Sequence, residues 1–311
     1  CMDTRILSIE PDDIARAVRV LRSGGLVGLP TETVYGLAAD ASNDHAVARI
    51  YTAKGRPSFN PLIAHVCDLE MAQREGVFRP NALALVETFW PEPLTLVVDV
   101  AQTGRVCDLA RAGLDSIALR MPAHAIPINV IKAFGGPLVA PSANPSGQIS
   151  PTSLQHVMTD MGDKLDLVFD GGTCAAGIES TIIDARGERP ALLRPGSLAL
   201  DRIEDIWPGL IRPELSPDAP QSPGQLLRHY APRASLRLNA TDVEPGEAFL
   251  GFGDGPATLN LSARGDLEQA AANLFAMLRA LDEEYDRIAV APIPDQGLGE
   301  AINARLTRAA K

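Results

Sequence analysis

The feature that most limits the fold is a break at residues 208–232. This stretch holds six prolines and two glycines and has no helical or strand periodicity. Each proline lacks an N–H and fixes its own φ, so neither a helix nor a central strand runs through such a segment. The chain is therefore expected to fold as two bodies joined by a linker, with boundaries at 1–207, 208–233 and 234–311.

Before the break, helical and strand patterns alternate. Ile14, Ala17, Val18 and Leu21 recur at helical spacing, and Gly24-Gly25 stops that helix. Asn43 can cap a helix carrying Val47, Ile50 and Tyr51 on one face. Further helices are expected over 80–89, 125–134, 152–161 and 200–206. Short apolar runs predict strands over 26–29, 62–66, 94–100, 116–121, 138–140, 167–170, 180–184 and 191–194. Many connections are too short for a crossover helix, so the sheet is expected to be mixed. After the break, apolar runs at 236–238, 248–252, 258–261 and 288–291 surround a strong helix over 267–281, and a helix over 301–310 closes the chain. This predicts a small second α/β body.

Lys and Arg number 28 against 39 Asp and Glu, a net charge of −11. That balance disfavours a broad nucleic-acid surface but leaves room for a local cationic pocket. No run approaches 18 apolar residues, so no membrane span is expected. Cys67, Cys107 and Cys174 are far apart and form no CxxC pair, which argues against a zinc site or a disulfide framework. With no secretory pattern visible, the expected setting is reducing and cytoplasmic.

Six polar segments punctuate these elements. Residues 30–36 (PTETVYG) follow a strand end, where open α/β sheets place ligands; a tight turn explains them equally well. Lys54-Gly55-Arg56 follows a helix and can clamp phosphate oxygens, or can be two solvated cations at a helix C-terminus. His65 alternates with apolar neighbours, which more often marks a hydrogen-bonded core histidine than a functional one. Arg120 ends a strand on the same face as Ala118 and Ser116, and a buried Arg there needs an anion from the protein or from a substrate. Residues 140–144 (APSAN) and 179–184 (ESTIID, with LRPG at 193–196) put small hydroxyl and amide side chains at strand ends. Arg228-His229-Tyr230 lies in the linker, where it has no core to serve and can cover a site, or can tether the linker by packing Tyr230 on a domain. No Walker motif, GxSxG, HExxH or early GxGxxG occurs. These residues alone indicate an α/β enzyme for a small anionic ligand, a nucleotide among the candidates.

Taken together and in this order, PTETVYG, KGRP with NPLIAH, SIALRMP, APSAN, ESTIID, LRPG and the SPG-to-RHYAP segment resemble the YrdC-type threonylcarbamoyl-AMP synthases. The likeness is to their long form, with a linker and a small C-terminal domain. Gln225-Leu226-Leu227 departs from it, since the family more often has a basic or aromatic residue there. The resemblance implies a twisted mixed sheet around a concave cationic cavity. It also implies synthesis of threonylcarbamoyl-adenylate from L-threonine, bicarbonate or CO2, and ATP, with release of pyrophosphate. That product serves a tRNA modification completed by a separate transferase, and no stable tRNA binding is expected of this chain.

By the same resemblance, L-threonine is held by Thr33, His65, Arg120, Ala140 and Ser180. ATP is held by Lys54, Arg56, Asn60, Ser116, Ser142, Ser150, Arg194 and Tyr230. Lys54 and Arg56 act on the transferring phosphates, and Thr31, Asn144, Arg228 and His229 stand behind them. Mg2+ is expected to arrive with ATP, held by phosphates and water and not by a protein cage. Two other readings compete. Carbamoyl-adenylate chemistry of hydrogenase maturation lacks its Cys-rich zinc motifs here. A non-catalytic RNA-binding module of the same fold is disfavoured by the acidity. Residues 234–311 carry seven basic and twelve acidic residues, so the C-terminal part is a poor tRNA platform.

Overall fold

The computed structural model describes residues 5–214, 220, 222–223 and 229–310. In chain order the first body runs β1 (Arg5–Leu7), α1 (Pro11–Arg22), β2 (Val27–Leu29), β3 (Gly36–Asp40), α2 (Asp44–Lys54), β4 (Ile63–His65), α3 (Leu69–Glu75), β5 (Gly76–Val77), α4 (Pro80–Phe89), β6 (Leu94–Val100), β7 (Ser116–Arg120), α5 (Ala125–Phe134), β8 (Leu138–Val139), α6 (Leu154–Met161), β9 (Leu167–Phe169), β10 (Thr181–Asp184), β11 (Ala191–Arg194) and α7 (Leu200–Ile206). The second body runs β12 (Ser235–Arg237), β13 (Ala248–Gly251), β14 (Leu259–Asn260), α8 (Leu267–Glu284), β15 (Arg287–Val290) and α9 (Leu298–Ala309).

The first body is one eleven-stranded sheet in the order β1-β9-β2-β3-β8-β4-β7-β6-β10-β11, with β5 paired to β6. It is mixed: β4–β7 and β6–β10 are parallel, whereas β6–β7, β3–β8 and β10–β11 are antiparallel. The second sheet, β12-β15-β13-β14, is parallel throughout. Several helix starts are fixed as local chemistry dictates. The side chains of Asn43, Asp68, Ser153 and Asp266 each accept backbone N–H groups at the first turn.

Periodicity alone does not anticipate β1, β3, α3 or β5. The β3 sequence GLAAD has no β-branched residue, so its propensity for a strand is low. It is a strand because it is clamped between β2 and β8, with four of its five residues buried. Here the tertiary setting overrides local preference.

Register places the chemistry. His65 lies opposite Arg120, and Arg120 lies opposite Thr95. Ile63, Ala118 and Val97 form the next row on the same face and pack with Ile182 and Leu193. One face thus carries an apolar floor beside a row of polar residues. Ser116 pairs with Asp99 and shares the face, as alternation predicts, but sits four residues from Arg120. At about 3.3 Å per residue that is about 13 Å away along the strand.

The two bodies share a packed interface. Val34, Ile149 and Ile178 of the first body join the apolar cluster of Leu274, Phe275 and Leu278 on α8. Within the first body, strand ends approach so closely that a Cβ at Gly196 would lie 2.2 Å from the Ser180 carbonyl carbon. Gly196→Ala is expected to force these segments apart and cost about 1–3 kcal/mol. Thermal melting of the variant checks this, and an unchanged midpoint would rule out the close approach.

Candidate active site

Strand ends and turns converge on one cavity over the row of polar residues. Thr31, Thr33, Arg56, His65, Arg120, Ala140, Ser142, Ser180, Arg194, His229 and Tyr230 all line it, with Glu179 and Pro223. The remaining expected residues lie apart from its lining. Lys54, Asn60 and Ser150 are buried just behind it, Asn144 sits in the adjoining turn, and Ser116 is at the far end of the face. Arg228 lies outside the described residues.

The threonines of residues 31–34 build the first wall. Thr31 Oγ1 donates to the Val34 carbonyl at 2.7 Å and accepts from the backbone N–H groups of Thr33 and Val34. The turn reading and the ligand-facing reading therefore both hold for this segment. Arg120 Nη1 donates to Thr33 Oγ1 at 2.9 Å, and Nη2 pairs with Glu32. Sequence spacing left the anion for Arg120 open; Glu32 fills that place within the protein. Arg120 Nε is buried with no protein partner among the described residues.

His65 lies beside it. Its Nδ1 sits 3.2 Å from the Ile63 carbonyl, a contact that suits an N–H at Nδ1. Burial, reinforced by the charge of Arg120, pulls its pKa down to about 3, so the imidazole is neutral at physiological pH. On the other side, Ser180 Oγ is 2.8 Å from Thr95 Oγ1, and Arg194 holds both the Ser180 carbonyl and its hydroxyl.

The cationic wall comes from KGRP. Gly55 takes φ +60 at the C-cap of α2, a left-handed conformation that glycine adopts without strain. This reversal sends Lys54 and Arg56 into the protein and not into solvent, so the bland reading of two solvated cations fails. Arg56 donates to the carbonyls of Asn60 and Pro61 at 3.2 and 2.8 Å. Lys54 Nζ donates to the carbonyls of Ser142 and Asn144, pinning the APSAN turn. Burial pulls the Lys54 ammonium well below its ordinary pKa, and it pulls Arg56 and Arg194 to about 10. Both arginines remain cations at neutral pH. Both polar atoms of the Asn60 side chain, Asn144 Oδ1 and His229 Nδ1 are buried without a protein hydrogen bond among the described residues. Buried polar groups are normally hydrogen-bonded, so these four atoms await a partner that the described residues do not supply.

Pro223, His229 and Tyr230 close the cavity from the linker side, and the space left inside is about 50 Å3. A larger cleft of about 660 Å3 lies between the bodies. It contains none of the expected site residues, and its Asp160 and Asp282 pair with Arg279 and Arg233.

Glu179 and Arg305 were not singled out by sequence reasoning. Glu179 stands inside ESTIID, but nothing in spacing shows that its partners are Ser150 and, from α9, Arg305. Among the described residues no three His, Cys, Asp or Glu side chains gather in a way that could hold a metal ion. No described helix is long and apolar enough to cross a membrane.

Comparison with known proteins agrees with this geometry. Residues 19–196 match the family of Sua5, YciO and YrdC proteins, described as "Telomere recombination". Residues 198–311 match the family described as "Threonylcarbamoyl-AMP synthase, C-terminal domain". A threonylcarbamoyl-AMP synthase of Pyrococcus abyssi is 39% identical, covering 97% of this chain and 95% of its own. One from Bacillus subtilis is 37% identical, covering 98% and 94%. The crystal structure of P. abyssi Sua5 complexed with L-threonine superposes with a TM-score of 0.91 at 36% identity, over 99% of this chain and 98% of that one. The chain therefore belongs to the Sua5/YciO/YrdC family and, within it, to the threonylcarbamoyl-AMP synthases that carry the C-terminal domain.

Proposed function

We infer that this protein is a nucleotidyltransferase that joins L-threonine, CO2 (from bicarbonate) and ATP into threonylcarbamoyl-adenylate and pyrophosphate. The observation that carries the reading is the pairing, in one closed cavity, of a small polar pocket with a buried arginine wall. The pocket is formed by Thr33, His65, Arg120 and Ser180, and the wall by Arg56 and Arg194.

The chemistry needs no catalytic triad. The neutral amine of threonine adds to CO2 and loses a proton, giving a carbamate. A carbamate oxygen then attacks the α-phosphorus of ATP, the Pα–O bond to the β-phosphate breaks, and pyrophosphate leaves with that oxygen. Such transfer depends on alignment and on neutralising spreading negative charge. Arg56 and Arg194 supply fixed positive charge in a dry site, where it acts more strongly than in water. Arg120, through its remaining Nε–H, and the hydroxyls of Thr33 and Ser180 suit the carboxylate and side chain of threonine. Lys54 acts from behind, holding the APSAN turn by its carbonyls. The nearby carboxylates Glu32 and Glu179 are engaged by Arg120 and Arg305, so MgATP is taken as the substrate, with its ion on phosphates and water.

Nucleotide sites are commonly about 300–1,000 Å3, far above the space now enclosed. Pro223, His229 and Tyr230 therefore act as a cover that shifts to admit ATP and then excludes water from a labile carbamate and mixed anhydride. A separate transferase would take the adenylate onward to tRNA, and the work is that of the cytoplasm.

Pyrophosphate release from MgATP and bicarbonate is expected only when L-threonine is present. Arg56→Ala should lower its kcat/KM by about a hundredfold or more. Release without threonine dependence would overturn the reading. Arg120→Lys is expected to raise KM for L-threonine about tenfold or more, because an ammonium cannot bridge Thr33, Glu32 and a carboxylate together.

Stability should also follow pH. Burial depresses the folded pKa of His65 and His229 to about 3, against about 6.5 unfolded. The folded state then binds fewer protons, so the stabilisation is full above about pH 6.5 and is lost as pH falls toward 3. Burial raises the Glu179 carboxyl, but Arg305, Arg194 and Ser150 together bring it down to about 2, adding a further loss below about pH 4.3. The melting temperature should therefore be level from pH 7 to 8 and fall on acidification to pH 5. A level curve down to pH 5 would show that the imidazoles are not buried neutral.

A further inference from the structure

One polar side chain of the C-terminal domain is bonded directly to the cavity wall. Arg305, on α9, is 1% exposed. Its Nε donates to Glu179 Oε2 at 2.8 Å, and Nη1 donates to the Pro195 carbonyl at 2.7 Å and to Ala301 of its own helix at 3.0 Å. Nη2 reaches the Glu179 carbonyl at 3.5 Å. The second oxygen of Glu179 accepts from Ser150 Oγ at 2.6 Å. The guanidinium carbon also lies 5.6 Å from the centre of the Tyr230 ring, which is stacked on Phe275 of α8 at 5.5 Å. Pro195 directly follows Arg194 in the chain. A single guanidinium thus ties together Glu179, the strand end that carries Arg194, and Tyr230, all three of which line the cavity, with Ser150 fixed behind them.

We propose that Arg305 is a positioning residue for the nucleotide half of the site, and that the C-terminal domain sets that half through the Arg305–Glu179 pair. The proposal rests on the function inferred above and deepens it. A planar fork suits such positioning because it meets a carboxylate and two carbonyls at fixed angles, which an ammonium cannot do. Buried ion pairs are weak stabilisers compared with apolar groups of the same size, so simple adhesion between the domains explains this one poorly. The threonine half is tied to it only at Ser180, which follows Glu179 and is held by Arg194. Arg120, Thr33 and His65 stand on β4, β7 and the 31–34 turn, with no bond to Arg305 among the described residues.

The test uses the full chain and three variants: Arg305→Lys, Arg305→Met, and the double variant Glu179→Gln/Arg305→Met, which strands no buried charge. Thermal melting reports folding, and calorimetry reads the affinity for MgATP and, separately, for L-threonine. In the folded double variant, ATP affinity is expected to fall about tenfold or more, as for loss of charge-assisted hydrogen bonds. L-threonine affinity should fall by no more than about threefold, because Thr33, His65 and Arg120 make no bond to the pair among the described residues and only Ser180 adjoins it. Arg305→Lys should keep the charge and fail to restore ATP affinity. Unchanged ATP binding in a folded double variant would overturn the proposal, and so would an equal loss for both ligands or full rescue by lysine. Because binding is read directly, a wild-type chain that binds ATP yet releases no pyrophosphate would count against the inferred reaction alone.

Discussion

Four basic side chains buried around one small space govern this structure. Lys54, Arg56, Arg120 and Arg194 are each less than a tenth exposed. A buried charge is tolerated only with close partners, and nearly every polar feature near the cavity serves that need. Asn60 and Pro61 turn their carbonyls to Arg56, Ser142 and Asn144 turn theirs to Lys54, and Ser180 turns its own to Arg194. Arg120 alone takes a carboxylate from its own body, that of Glu32. Carbonyl dipoles hold Arg56 and Arg194 without neutralising them, so the cavity keeps their positive charge. The loops have irregular backbones because their carbonyls face inward.

The same constraint explains why the second body is there. The carboxylate of Glu179, next to Ser180 at a strand end, takes one bond from Ser150 of the first body and the other from α9. Arg305 supplies that second bond, while Val34, Ile149 and Ile178 continue the apolar core of α8 across the boundary. The linker residue Tyr230 is trapped between Phe275 and the cavity, at 1% exposure and φ +63. A non-glycine residue holds such a backbone only when its surroundings over-determine it. Tyr230, the second domain and the arginine wall are therefore one packed unit.

Much of this was legible in the chain. The helices over 80–89, 125–134 and 200–206 and the strands over 94–100 and 191–194 end where the spacing of apolar residues ends. The alternation of Ser116, Ala118 and Arg120 gave the correct shared face. Residues 36–40 and 69–75 were illegible, because glycine, alanine and a two-turn amphipathic stretch send too weak a local signal. Of the site, hydroxyl, amide and arginine side chains at strand ends marked the wall, but the inward turn of Lys54 was not visible.

The sequence by itself determined the mixed sheet, most elements to within a few residues and, through the order of its motifs, the family. These follow from proline chemistry, apolar periodicity and local capping, which act over a few residues. The tertiary structure alone decided which groups meet: Glu32 with Arg120 across 88 residues, and Glu179 with Arg305 across 126. Such pairings depend on strand order and register, which are global properties of packing. That is why a chain can announce its chemistry in short motifs and still conceal the partners that hold those motifs in place.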